Sequence, residues 1–389
     1  MPNSFLSMQN IARELLPILS DNLVLPQLVY KDYSEDFIRK GDTIQVERPV
    51  NFSADEFSSS INVQDLVEGN VYVTMDTIAD VSFQVTAKDL ALNIEQFRTK
   101  YLEPAAIAIA EKINNDGLDL YKYIPYYTGT SGTTPAALSD FANAGKILND
   151  NKVPSTPRYG VWDTAATAKF QVLDSLVEVN KAGTNEALRR GQIGSVFNID
   201  NFMSQGVNTH TAGGFAALAD VTAAADVSAD NGTDSTTGFA YTSVVLTSAA
   251  GASTAKLLKG DLINLEDDSG NTYQCTVIED TASAIAGVVT AKVYPAITAD
   301  DLTSTDVTFP DVSAGAHQAN LVFHPKAFAF VTRPLDTPPG VESYTTSYNG
   351  ITLRVTMDYD IDSKKTTMSI DTLYGYAPLY PELATRVLG

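Results

Sequence analysis

The chain has one cysteine, one tryptophan and three histidines in 389 residues, and each shortage excludes a class of chemistry. A lone Cys275 can form no internal disulfide and no cysteine-based metal site. It lies in the alternating stretch Tyr273-Gln274-Cys275-Thr276-Val277-Ile278, where a small half-buried strand residue is expected. His210, His317 and His324 have no partner at metal-ligand spacing in the sequence. His210 and His317 fall in Gly/Ala/Thr-rich sequence that reads as connecting segments. His324 precedes Pro325 at the end of an apolar run, a strand-end position. Nucleophile-elbow, dinucleotide-binding and phosphate-loop signatures are all absent. The run Glu266-Asp267-Asp268-Ser269-Gly270-Asn271 is similar in composition to a calcium loop, but lacks the ligand spacing and the distal Glu. It reads as a solvated hairpin turn. The residues therefore predict no catalytic, cofactor-binding or metal site.

Positive charge is also scarce. Lys and Arg number 26 against 47 Asp and Glu, a net charge of −21. No basic cluster exceeds Arg189-Arg190 or Lys364-Lys365. A protein that grips nucleic acid by its phosphates needs a basic face, so any contact with nucleic acid is expected to be weak or indirect. An acidic wall suits a container that must let a packed polyanion slide, and the same acidity equally suits plain solubility. No apolar run approaches the ~20 residues of a membrane helix. The opening segment has helical apolar spacing and no basic, apolar leader, so residence in a cytoplasm is expected.

What is present is a globular composition, 44% hydrophobic and 19% charged, long enough for two or three domains. Residues 4–20 read as an amphipathic helix with Phe5, Met8, Ile11, Leu15 and Leu19 on one face and Pro17 expected to bend or end it. This helix either docks on its own domain or reaches a neighbour. Residues 42–52 and 70–76 alternate as strands around a polar segment, Ser53 to Gly69, and predict a long hairpin with an elaborate tip; a third strand, Val81–Val85, follows. An isolated two-stranded ribbon is marginal, so it needs a body to lie on. Residues 89–122 carry the longest helical signal, with Ile94, Phe97, Tyr101, Ala105, Ile109 and Ile113 in line and a kink or start expected near Pro104. Residues 135–206 read as α/β, with a helix at 138–149, a strand at 159–163 holding Trp162 in the core, and helices at 164–176 and 185–191. From about 207 to 314 the chain turns rich in Ala, Thr, Ser, Gly and Asp. Strands at 241–247, 261–265, 272–279 and 287–294 there predict a small barrel or sandwich. Beyond 318 the earlier character returns, with strands expected at 320–332, 351–357, 366–370 and 374–379.

Three stretches together resemble the gene-five-like coat proteins of short-tailed phages, which carry the Hong Kong 97-type capsid fold. The first runs from Arg39-Lys40-Gly41-Asp42-Thr43-Ile44 and Glu47-Arg48-Pro49-Val50 through Val63-Gln64-Asp65 and Val81-Ser82-Phe83 to Lys88-Asp89-Leu90. The second is Tyr101-Leu102-Glu103-Pro104-Ala105-Ala106, with Ala110 and Ile113. The third is Asn320-Leu321-Val322-Phe323-His324, then Ala327-Phe328, Leu373-Tyr374-Gly375-Tyr376 and Leu379-Tyr380-Pro381-Glu382-Leu383-Ala384. Leu258-Lys259-Gly260-Asp261 resembles the opening of the family's inserted domain.

The resemblance implies an α+β capsid fold: an N-terminal arm at 1–31, an extended β-hairpin loop at 32–87, and a peripheral domain with a long spine helix at 88–135. An axial domain at 136–206, an inserted β-barrel-like domain at 207–314, and return strands at 315–389 complete it. It further implies a major capsid protein that self-assembles into pentamers and hexamers of an icosahedral head around double-stranded DNA. The expected partners are other copies of itself, scaffolding protein, portal and decoration proteins. The expected location is the virion, after assembly in the host bacterial cytoplasm, with no membrane and no enzymatic role. Arg39, Lys40, Glu47, Arg48, Asp55 and Glu56 are candidates for intersubunit pairs. Two alternatives remain: an encapsulin-like nanocompartment shell, and a β-rich phage surface protein binding carbohydrate through Tyr241, Tyr273 or Tyr294.

Overall fold

In the computed structural model the described residues are 12–13, 15–19, 23–31, 43–48, 69–86, 101–178, 190–218, 220–225, 231–249, 255–266, 272–297, 302–304, 307–348, 350–363 and 365–389. In chain order, after helical residues 15–19 and the short helix Leu25–Leu28, come β1 (Thr43–Arg48), β2 (Gly69–Thr74), β3 (Thr77–Thr86), α1 (Glu103–Leu118), β4 (Tyr127–Gly129), α2 (Leu138–Asp150), β5 (Tyr159–Trp162), α3 (Thr164–Phe170) and the short helix Asp174–Val177. Next come β6 (Ser195–Val196), β7 (Ile199–Met203), β8 (Thr209–Thr211), β9 (Val221–Ala225), β10 (Asn231–Thr233), β11 (Ala240–Ser248), β12 (Leu262–Glu266), β13 (Thr272–Val277), β14 (Val288–Tyr294) and β15 (Leu302–Ser304). The chain closes with β16 (Ala316–Phe323), β17 (Phe328–Arg333), β18 (Glu342–Tyr348), β19 (Ile351–Asp360), β20 (Lys365–Pro378) and β21 (Ala384–Leu388).

Local chemistry explains the helices. Pro104 sits in the first turn of α1, where its missing N–H costs nothing, and it follows π-helical backbone at 101–102, so the proline marks a change of helix type. The stripe Ala105, Ile109, Ile113 and Gly117 is buried, as is its neighbour Ala106, Ala110, Asn114 and Leu118. The Asp140 carboxylate accepts the backbone N–H groups of Ala136 and Ala137 at the head of α2. Asp163 caps α3 by accepting from Ala165 and Ala166. The earlier part of the long helical signal, with Ile94 and Phe97, and most of the helix expected at 185–191 lie outside the described residues. So do Phe5, Met8 and Ile11, but residues 15–19 are helical through Pro17, and Ala12, Leu15, Leu16 and Leu19 enter the main core. For those residues the helix docks on its own chain.

Two sheets form the body. One runs β17-β20-β19-β18 with β3 on the far side of β20; the other runs β4-β21-β16-β5-β7-β6 with β8 on β16. Strand β16 pairs with β5 and β21 alike, although a whole sheet intervenes in sequence between β5 and β16. That is the topology of an insertion. The intervening sheet runs β12-β13-β14-β11-β9-β15, with β10 on β11. Its ends approach: Thr308, just beyond β15, exchanges backbone hydrogen bonds with Asn264 on β12. The sheet thus curls into a barrel-like unit with its own core, including Val244, Leu246, Ile263, Leu265, Cys275, Val277 and Val293. A second satellite core stacks Phe141, Trp162 and Phe170, with ring centroids 4.4–5.0 Å apart.

The predicted hairpin forms. β1 and β2 pair antiparallel from Thr43–Thr74 to Arg48–Gly69, and its tip lies outside the described residues. Its body is its own chain: Ile44, Val46, Val71 and Val73 pack between Phe239, Ile278 and Tyr294 of the barrel and Ala329, Val331, Ala377 and Leu379 of the body sheet. β3 leaves the ribbon and pairs with β20 along Thr77–Thr86. Two glycines allow the crossing. A Cβ on Gly375 would lie 2.1 Å from the Thr74 carbonyl, and one on Gly238 2.0 Å from that of Asn70.

Candidate functional site

One cation fixes the ribbon where its described strands end and the tip begins. Arg48, at the end of β1, donates from Nη2 to both carboxylate oxygens of Glu382 at 2.9 Å. Glu382 sits on the 3-10 turn Pro381–Leu383 that precedes β21. Tyr294, the last residue of β14, donates its hydroxyl to the same carboxylate at 2.6 Å. The guanidinium also lies over the rings of Tyr380 and Phe239, 5.1 and 5.9 Å from their centroids. Ribbon, barrel and C-terminal turn thus converge on one partly buried ion pair. Burial, then the Glu382 carboxylate, holds the Tyr294 phenol well above its ordinary range, so it remains a donor.

Of the sequence candidates, the structure places Glu47 exposed on β1 and Arg48 in this intrachain pair. Arg39, Lys40, Asp55 and Glu56 lie outside the described residues.

A second polar cluster lies where the barrel joins the body. His210 and His317 are not in connecting segments, as their surroundings in the sequence suggested; they face each other across the β8–β16 pair. His210 makes hydrogen bonds of 2.9 Å through Nδ1 to the Tyr121 hydroxyl and through Nε2 to Asp261 Oδ1. Asp311 Oδ2 is 3.6 Å from the same Nε2. Arg386 on β21 is fully buried and donates to the carbonyls of Ile124 and Gly260 and to Thr276 Oγ1 at 2.7–2.8 Å. Burial pushes the Asp311 carboxyl up to about 6 and the His317 imidazole down to about 4, and draws the Arg386 guanidinium down to about 10. This cluster is not legible in the sequence. Its members lie 51 and 50 positions apart, at 210, 261 and 311, and only the barrel's closure unites them. The Asp of Leu258-Lys259-Gly260-Asp261 was the one signal within it.

Nothing in this arrangement places a nucleophile and a base on an open face; the polar groups are used to join parts of one subunit. A cleft of about 760 Å³ beside the junction is lined by residues including Tyr123, Asp234, Lys259, Glu279 and Lys292. Among the described residues, no helix is long and apolar enough to cross a membrane. A two-stranded ribbon, a central helix buried along one face, a body of one antiparallel and one mixed sheet, and a barrel inserted between strands of one sheet define a capsid subunit of the Hong Kong 97 type.

Comparison with known proteins carries this to a family. The sequence model of the family described as "P22 coat protein - gene protein 5" matches residues 1–389. The chain belongs to the P22 coat protein family and is a coat protein of an icosahedral phage head, located in the virion, where it associates with copies of itself. It is 22% identical over 424 residues to the major capsid protein of Acyrthosiphon pisum secondary endosymbiont phage 1, covering 98% of this chain and 97% of that one. Its fold is similar to a structure from Mycobacterium phage Che8, with a TM-score of 0.51, 13% identity and coverage of 94% and 90% of the two chains. The capsid of cyanophage P-SCSP1u aligns with a TM-score of 0.45 at 12% identity, over 90% of this chain and 84% of that one.

Proposed function

We propose that the coat protein forms pentamers and hexamers that close around double-stranded DNA without reading its sequence, and that it performs no catalysis. Segments 32–87, 88–135, 136–206 and 207–314 serve as extended loop, peripheral, axial and inserted domains, flanked by the 1–31 arm and the 315–389 return strands. The observation that carries the reading is the three-way anchoring of the ribbon by Arg48, at the root of its tip. A tip spanning 49–68 is of use to a neighbour only if its base is rigid. Arg39, Lys40, Glu47, Asp55 and Glu56 then supply the ribbon's intersubunit pairs, while Arg48 sets its direction. Rings of identical subunits need heterologous contacts, each copy giving one surface and receiving another. Several weak patches per interface add up through avidity. The net charge of −21 suits a wall facing packed DNA, with scaffolding, portal and decoration proteins as further partners and the host bacterial cytoplasm as the place of assembly.

Deleting Ser53–Glu68 tests the reading. The expected product is a folded subunit, by circular dichroism and a cooperative melt, that forms no shells in electron micrographs. Normal particles from this variant would overturn the role given to the ribbon.

A further inference from the structure

The junction cluster has the makings of a metal site. His210 lies on β8, Asp261 directly precedes β12, and Asp311 stands in the 3-10 turn Pro310–Ala314 after the barrel. His210 is 2% exposed and both aspartates 0%. One donor atom from each lies within 4.8 Å of the others. A tetrahedral cation with bonds of about 2.0–2.2 Å requires donors about 3.4 Å apart. The separations from His210 Nε2, 2.9 Å to Asp261 and 3.6 Å to Asp311, bracket that value.

Three further features point the same way. The donors are held in place: the N–H groups of Gly213 and Leu258 fix Asp261, and that of Leu262 fixes Asp311. Asp311 Oδ1 is buried with no hydrogen-bond partner among the described residues, a costly state for a carboxylate oxygen. The neighbouring Arg386 guanidinium makes its hydrogen bonds to neutral oxygens, so two buried carboxylates face one cation that bonds neither of them.

We infer that His210, Asp261 and Asp311 bind a divalent cation of the zinc class, which pins the base of the inserted barrel to the body of the subunit. The imidazole donor selects this class over calcium and magnesium, which take six or more oxygens. Three protein donors leave the fourth tetrahedral position to a water. With Nε2 on the ion, Nδ1 carries the proton and donates to the Tyr121 oxygen, so Tyr121 is a positioning residue. The rival occupant of the same place is the proton that Nε2 would share with Asp261.

The test uses the full-length chain, stripped with a chelator and titrated with zinc, then with cobalt. Saturable binding of one ion per chain is expected, with the visible absorption of tetrahedral cobalt. X-ray absorption of the zinc form should read a mixed nitrogen and oxygen shell at about 2.0–2.2 Å. Asp311→Asn should abolish binding, and Tyr121→Phe should weaken it about 10–100-fold while the circular dichroism spectrum stays unchanged. Absence of saturable binding by the wild-type chain, or equal affinity in both variants, overturns the proposal and leaves the proton in place. If Asp311→Asn does not fold, Tyr121→Phe and the wild-type spectrum decide: an all-oxygen shell refutes the assignment.

Discussion

At the scale of single residues, burial dictates behaviour that the sequence only hinted at. Cys275 was read as a half-buried strand residue; it is 1% exposed, inside the barrel core, and burial pushes its thiol up to about 12. The reactive species is the thiolate, so the folded chain should resist iodoacetamide at mildly alkaline pH and label only when unfolded. Peptide mass spectrometry with and without urea reads this directly, and rapid native labelling would mean the barrel opens. Arg386 is the stronger case. A cation in Ala384-Thr385-Arg386-Val387-Leu388 suggests an exposed face, yet every residue of the strand is buried. The guanidinium is tolerated because three oxygens and two nearby carboxylates surround it. Arg386→Met removes the donor and leaves those acceptors bare, which should cost about 3–5 kcal/mol in urea unfolding. A loss below about 1 kcal/mol would mean that water takes the guanidinium's place.

At the scale of elements, the sequence was legible where one face was apolar and the other polar. The hairpin, α1 from Pro104 onward, α2 and the four barrel strands at 240–248, 262–266, 272–277 and 288–294 all follow from such patterns. Elements without that contrast escaped. β21 is buried on both faces, so it lacks alternation, and β18 (Glu-Ser-Tyr-Thr-Thr-Ser-Tyr) is a polar edge strand paired, among the described residues, with β19. The stretch 320–332 reads as one strand by its apolar run, yet the strand-end position of His324 before Pro325 holds: the pair divides the stretch into β16 and β17 through a 3-10 turn. How elements cross is invisible in such patterns, and here glycine carries the information. Gly238 has φ +81° and touches the β2 backbone, beside the hydrogen bond from Tyr72 N–H to the Thr237 carbonyl. Gly238→Ala both strains the backbone and drives a methyl into the ribbon. It should cost more than about 1 kcal/mol and raise the exchange rate of the Tyr72 amide well above that of amides in the barrel core. Unchanged protection at Tyr72 would show that barrel and ribbon part without consequence.

At the scale of the whole molecule, charge sets how copies meet. Each subunit carries 47 acidic and 26 basic side chains, so pairing every cation still leaves 21 negative charges. Two electrostatic terms then oppose each other in a shell. Acidic surfaces repel across the seams, whereas the charge pairs proposed between ribbon and neighbour attract at short range. Salt weakens both, but unequally. The screening length falls from about 10 Å at 0.1 M to about 3 Å at 1 M, which removes repulsion between separated surfaces and spares contact pairs. Exposed pairs contribute only about 0–1 kcal/mol each, too little to outweigh the excess of like charge. Assembly of purified subunits, followed by light scattering, should therefore be faster and need less protein in about 0.5 M sodium chloride than in about 0.05 M. The reverse order would mean that contacts made by Arg39, Lys40 and their acidic partners dominate the interface. Substituting those two residues singly would then reproduce the effect of added salt, whereas under the repulsion reading each loss of a cation slows assembly and added salt restores it.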